Sequence, residues 1–245
     1  MIREIITFNQ NQIEDKAEEF FLSMLGKPSL ENCEILNNQR KEALQIRENV
    51  RYELLPKAIC KLYDQNDIDT QTLHLQGDKL KLEHSFISCD GFNKISPSNI
   101  LSATLFIITC ETILPQGNAL DDLYVDMWQT AYLDAARSII RQKRKDKLIM
   151  SDQDSFYISP SFGPGYYGMQ LSELDKFYEL LKGEDIGISI QRGLLHPLKT
   201  CTGIFIDLNE AEKDFNACMY CVGNHSQCEF CNEDGKIQRK KGKGI

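Results

Sequence analysis

The sequence has one tryptophan, four histidines and no apolar run near the roughly 18 residues of a membrane helix, so no membrane partner is expected. Met1 opens onto a mixed polar sequence without the apolar core of a signal peptide, which gives the expectation of a cytoplasmic protein. Basic residues are outnumbered by acidic ones, 28 to 36. A net charge of −8 opposes general attraction to a phosphate backbone, so no nucleic-acid partner is expected. There is no G-x-S-x-G elbow, no phosphate loop with its lysine and no H-E-x-x-H. Together these absences argue against a hydrolase or a classical nucleophilic enzyme.

Cysteine, by contrast, is plentiful, and four of the nine close the chain. Cys218, Cys221, Cys228 and Cys231 form two C-x-x-C pairs in a tail with few apolar residues to pack around them. Two residues between thiolates turn both sulfurs toward one point, and a second pair completes a shell for zinc or an iron-sulfur cluster. Two disulfides and four free thiols are the alternatives, and the absence of a signal peptide disfavours the first. Cys33, Cys60, Cys89, Cys110 and Cys201 stand among apolar neighbours and read as reduced packing residues. Lys236, Arg239, Lys240, Lys241 and Lys243 make a basic end that reads as solvated and disordered.

With 42% hydrophobic residues, 245 positions suffice for one sizeable core and a small appendage. Ile13, Ala17, Phe20, Phe21 and Met24 repeat at helical spacing, with Gly26 and Pro28 as a stop. Residues 37–63 read as two helices broken near Pro56. Gln71 to Glu83 reads as a hairpin turning at Gly77-Asp78. Pro97-Ser98 reads as a helical turn leading to Ala103–Cys110, whose continuous apolar run fits a strand covered on both faces. The longest helix begins at the cap Asn118, with Asp121 and Asp122 in its first turn and Arg141, Lys143, Arg144 and Lys145 toward its end. Asp126 and Asp134 border its apolar stripe, where each faces solvent, pairs with Arg137 or contributes to a site. Phe156 to Phe162 reads as a strand, 163–168 as a tight glycine-rich loop, Leu171 to Leu181 as a helix, and Ile186 to Ile190 and Gly203 to Leu208 as further strands.

The predicted fold is α/β, of the α+β kind: a twisted, largely antiparallel sheet packed with helices, plus a small cysteine-rich C-terminal tail. Its expected divisions are a core domain over 1–210, with N-terminal helices over 1–66 and a sheet core over 67–210. A four-cysteine metal-binding tail over 211–235 and a basic disordered end over 236–245 follow.

Several pieces, in order, resemble the activation domain of cobalamin-dependent methionine synthase and its short stand-alone relatives. Ser159-Pro160-Ser161-Phe162-Gly163-Pro164-Gly165-Tyr166 is similar to the family's proline, glycine and tyrosine loop, and Leu171-Ser172-Glu173 to the helix start after it. Asp185-Ile186-Gly187-Ile188-Ser189 and Pro197-Leu198-Lys199-Thr200-Cys201-Thr202-Gly203 resemble the later strand segments. The long helix with Asp126, Ala131, Asp134 and Ala135, the segment Leu55-Pro56-Lys57-Ala58 and the cysteine-rich end extend the resemblance over most of the chain.

The resemblance implies an accessory protein that helps reductively reactivate a corrinoid (cobalamin) protein or methyltransferase. S-adenosylmethionine is a possible methyl donor, cobalamin is held by the partner, and an electron donor is a possible further partner. A non-catalytic binding module or chaperone for a corrinoid protein, with a structural zinc tail, is the alternative. Ser159, Ser161, Gly163, Gly165, Tyr166, Tyr167 and Asp134 are the candidate ligand-binding residues, and no catalytic residue is assigned. The family has an arginine at the head of this loop, where Ser159, or Phe162 under a shifted alignment, stands here. Arg192 or Lys199 is the expected substitute cation.

Overall fold

Residues 105–108 set the centre of the molecule, because an unbroken apolar run must be covered from both sides. The computed structural model describes residues 1–25, 34–114, 117–151 and 155–210. Gly26, Pro28, Cys33, the quartet Cys218, Cys221, Cys228 and Cys231, and the basic end lie outside the described residues.

The chain is α+β. Strands β1 (Ile2–Ile6), β2 (Lys57–Asp64), β6 (Ile100–Thr109), β7 (Tyr157–Ile158) and β10 (Thr200–Leu208) form an antiparallel sheet in the order β1-β2-β6-β10-β7. Helices α1 (Gln10–Leu25), α2 (Glu34–Asn49) and α4 (Ala119–Met150) gather on one face. The other face carries α5 (Leu174–Leu181) and a small sheet of β3 (Ile68–Asp69), β4 (Lys79–Leu82) and β5 (Ser85–Ser88), with α3 (Thr70–Gln76) beside it. β8 (Ser189–Gln191) and β9 (Leu194–His196) form a separate hairpin.

Alternation along β6 divides the core as the pleat requires: Phe106 and Ile108 join the α1–α4 cluster, while Leu105 and Ile107 join the α5 cluster. On the first face Phe21 stacks on Trp128 at 3.8 Å between centroids, and the Trp128 indole N–H donates to the Ala43 carbonyl at 2.8 Å. One residue thus ties α1, α2 and α4 together. Farther along α4, Arg144 donates to the buried Asp207 carboxylate at 2.6 Å and to Ser102 Oγ at 2.7 Å. Ser102 and Asp207 also bond each other as cross-strand neighbours, so the helix is pinned to β6 and β10.

Two segments differ in kind from their sequence reading, and two expected strands are shorter or shifted, with Tyr157–Ile158 in place of 156–162 and Ser189–Gln191 in place of 186–190. Residues 57–63 form a strand, because Ala58 and Cys60 are buried on the helical face and Ile59 and Tyr63 on the other, which erases the alternation that marks a strand. With β1, this places two of the five sheet strands within 1–66, the part read as helical. The first arm of the expected hairpin is the helix α3. Asp69 caps it by accepting from the Gln71 N–H at 3.1 Å, and Gly77, at φ 70°, ends it as its N–H reaches the Leu73 carbonyl at 2.8 Å. The hairpin comes later, with Glu83 and His84 turning between β4 and β5 and Glu83 at φ 54°. The described residues contain no helix long and apolar enough to cross a membrane.

Candidate functional site

The loop after β7 is built against β10. Ser159 N–H donates to the Ile206 carbonyl at 2.9 Å, and its hydroxyl accepts from the Ile206 N–H at 2.9 Å while donating to the Pro160 carbonyl at 2.8 Å. Phe162 and Ile204 exchange main-chain bonds at 3.0 and 2.8 Å. Such approach needs glycine. A Cβ on Gly163 would stand 2.6 Å from the Thr202 carbonyl, and one on Gly203 2.7 Å from the Phe162 carbonyl.

Beyond Gly163 the chain turns sharply. Tyr166 N–H reaches the Gly163 carbonyl at 2.8 Å, Gly165 N–H the Met169 carbonyl at 2.9 Å, and Met169 N–H the Tyr166 carbonyl at 3.0 Å. Gly165 at φ 88° and Gly168 at φ 77° take left-handed conformations without penalty. Tyr167 takes one at φ 54°, which costs a side-chain-bearing residue roughly 1–2 kcal/mol. Packing offsets that cost: the Tyr167 ring meets Phe162 edge-on at 5.0 Å, and its carbonyl accepts from the Gly91 N–H at 3.0 Å. Tyr166 points the other way and is 65% exposed.

Between this loop and α4 lies an open groove of about 610 Å³, within the range of about 300–1,000 Å³ typical of small-molecule sites. Its floor is Phe106 and Phe205, stacked at 4.9 Å, with Cys201 and Thr202 of β10 beside them. Ser161, Gly163, Tyr166 and Tyr167 form the loop wall, and Asp134, Arg137 and Arg141 lie on the α4 wall. Five of the seven expected ligand-binding residues, Ser161, Gly163, Tyr166, Tyr167 and Asp134, therefore meet at one concavity. Ser159 is fully buried and holds the loop to β10, and Gly165 shapes the turn without lining the groove.

The cations are placed differently from expectation. Lys199 is occupied higher on α4, bonding Asp126 at 2.7 Å and Thr130 Oγ1 at 3.0 Å. Arg192 turns the β8–β9 hairpin, and neither it nor His196 borders the groove. Arg137 and Arg141, which the sequence reading did not put in the site, are the groove's cations. Arg137 donates to Asp134 at 2.7 Å, and Arg141 to the Ile158 carbonyl at 2.6 Å. Their spacing carried the signal, since residues 134, 137, 138 and 141 share one helical face.

Burial pushes the Cys201 thiol up to about 12, against the pull of Arg137 and with the push of Asp134. Cys60, Cys89 and Cys110 are likewise buried free thiols raised by desolvation. Two further recesses are present: one of about 350 Å³ between Arg141, Lys145, Phe156 and Tyr157, and one of about 50 Å³ between Ile2, Cys60, Thr104 and Arg144. No cluster of metal-ligating side chains occurs among the described residues.

The same architecture is found in the crystal structure of the MetH reactivation domain bound to AdoHcy. The match covers 89% of this chain and 81% of that one, with a TM-score of 0.61 at 11% sequence identity. The fold is that of a reactivation domain. No protein-family model matches the chain. No curated protein matches it in sequence.

Proposed function

We propose that the protein is an accessory factor that docks a corrinoid protein or cobalamin-dependent methyltransferase and helps return its cobalt to the reduced state. A separate electron donor would supply the electron, and S-adenosylmethionine, held in the groove between α4 and residues 160–167, would be the methyl donor, leaving as S-adenosylhomocysteine. The observation that carries this reading is the coincidence of fold and site. The solved domain of this fold was crystallised with AdoHcy, and the present chain has a groove of suitable size walled by Tyr166, Tyr167 and Gly163.

Cobalamin on the partner would supply the redox and methyl-accepting chemistry. This chain's residues supply position. The exposed Tyr166 offers a flat face to an adenine ring, Gly163 and Ser161 bring main chain and hydroxyl close to the ligand, and the floor of Phe106 and Phe205 meets the ligand's apolar part. The tail over 211–235 is assigned as a separate metal-binding unit in which Cys218, Cys221, Cys228 and Cys231 hold zinc or an iron-sulfur cluster. Metal analysis and the colour of anaerobically purified protein separate the two.

The test mixes the full chain with an oxidised corrinoid protein, a reductant and S-adenosylmethionine, and follows the cobalt absorption bands. The expected result is conversion that requires this protein; conversion at the same rate without it contradicts the proposal. A binding role without turnover is the second reading, favoured because residues 159–168 carry no basic side chain. It stands if calorimetry detects the corrinoid protein binding and S-adenosylmethionine not binding.

A further inference from the structure

We propose that Asp134 and Arg137 form an α-amino-acid clamp at the mouth of the groove, Asp134 receiving the ligand's ammonium and Arg137 its carboxylate. The inference rests on the adenosyl-ligand reading of the same groove and adds which end of the ligand lies against α4. Three observations carry it.

The first is the distribution of charge. Asp134, Arg137 and Arg141 are the groove's charged lining residues, and all belong to α4, while the facing loop wall is uncharged. A ligand with one charged end and one flat end is therefore oriented, with its charged end against the helix and its flat end toward the exposed Tyr166. The second is donor capacity. Arg137 donates to one oxygen of Asp134 and is 40% exposed, which leaves guanidinium N–H groups for an incoming carboxylate beside that aspartate, whereas Arg141 lies one turn farther along α4 on the Ile158 carbonyl.

The third is the pairing itself. Asp134 and Arg137 sit three residues apart on adjacent turns, with Asp134 32% exposed, so a cation and an anion of the ligand can bind side by side. An α-amino acid presents that arrangement, an ammonium and a carboxylate on one carbon. One anion and two guanidinium groups leave the mouth with a net positive charge, which suits a ligand whose carboxylate must be captured.

The test compares two ligands that share the adenosyl thioether and differ at this end: S-adenosylhomocysteine, which has the amino-acid group, and 5′-methylthioadenosine, which lacks it. Isothermal titration of the full chain should give S-adenosylhomocysteine about tenfold to a hundredfold tighter. Arg137→Gln and Asp134→Asn should each reduce that preference, with methylthioadenosine affinity unchanged, which also shows the variants to be folded. Arg137→Lys, keeping the charge without the fork, should fall between.

Equal affinity of the two ligands for the unaltered protein overturns the clamp and leaves the adenosyl reading in place. A preference that survives Arg137→Gln, or a loss of affinity equal for both ligands in that variant, also overturns it. Failure of both ligands to bind the unaltered protein overturns the clamp together with the reading it rests on.

Discussion

At the scale of single residues, the groove exists because two main chains touch. Gly163 and Gly203 lie where the 159–168 loop meets β10, and at either position a methyl group meets a main-chain carbonyl oxygen, joined at Gly203 by the Ser161 and Phe106 side chains. Gly163→Ala should therefore push the loop off Thr202, costing about 1–3 kcal/mol as overpacking does. A thermal melt should show the loss, and S-adenosylhomocysteine affinity should fall with it because Ser161 and Tyr166 ride on the same loop. An alanine variant with unchanged melting and unchanged affinity would mean that the loop is not held by this contact. Gly163 was legible in the sequence as part of a tight glycine-rich loop, while Gly203 read only as the start of a strand. Which backbone approaches Gly163 was not legible, since β10 lies some 40 residues farther along the chain.

Among elements, long-range pairs fix how the helices lie on the sheet and hence how the α4 wall faces the loop. Arg51 follows α2 and grips Glu14 of α1 with two bonds of 2.6 Å. This hydrogen-bonded guanidinium holds the Glu14 carboxyl below the ordinary 4.5, against the opposing effect of burial. The folded chain thus binds that proton less readily than the unfolded chain. Its stabilising contribution is complete above 4.5 and drains away as the pH falls through the lowered folded value. Glu14→Gln should melt earlier than the unaltered protein at pH 7 and lose less on acidification. Melting curves that stay parallel from pH 7 down to pH 3 would contradict this.

The same scale explains which elements the sequence revealed. Helix α4 was legible from its Asn118 cap, acidic first turn and apolar stripe, and Asn118 does accept from the Leu120 N–H at 3.0 Å. Strand β6 was legible from its unbroken apolar run. Strand β2 was not, because a strand buried on both faces beside Pro56 has neither alternation nor length to separate it from a helix. Gly77 misled for a related reason: a glycine with positive φ serves a helix end and a hairpin turn equally well, and its Asp69 partner cap lies upstream.

For the whole molecule, an acidic chain of net charge −8 has a groove lined by two arginines and one aspartate, a local positive balance that favours the anionic end of a small ligand there. The sequence suggested the loop wall through its tyrosines and glycines. It did not give the opposite wall, because Arg137 and Arg141 read as ordinary helix charges until the fold sets them across from Tyr166. The central claim is that this groove is where an adenosyl ligand binds. The most direct measurement is an amide nuclear magnetic resonance titration of the full chain with S-adenosylhomocysteine. The account predicts saturable shifts concentrated at Gly163, Tyr166, Tyr167, Thr202 and the 134–141 segment of α4; shifts centred elsewhere, or none at saturating ligand, would contradict it.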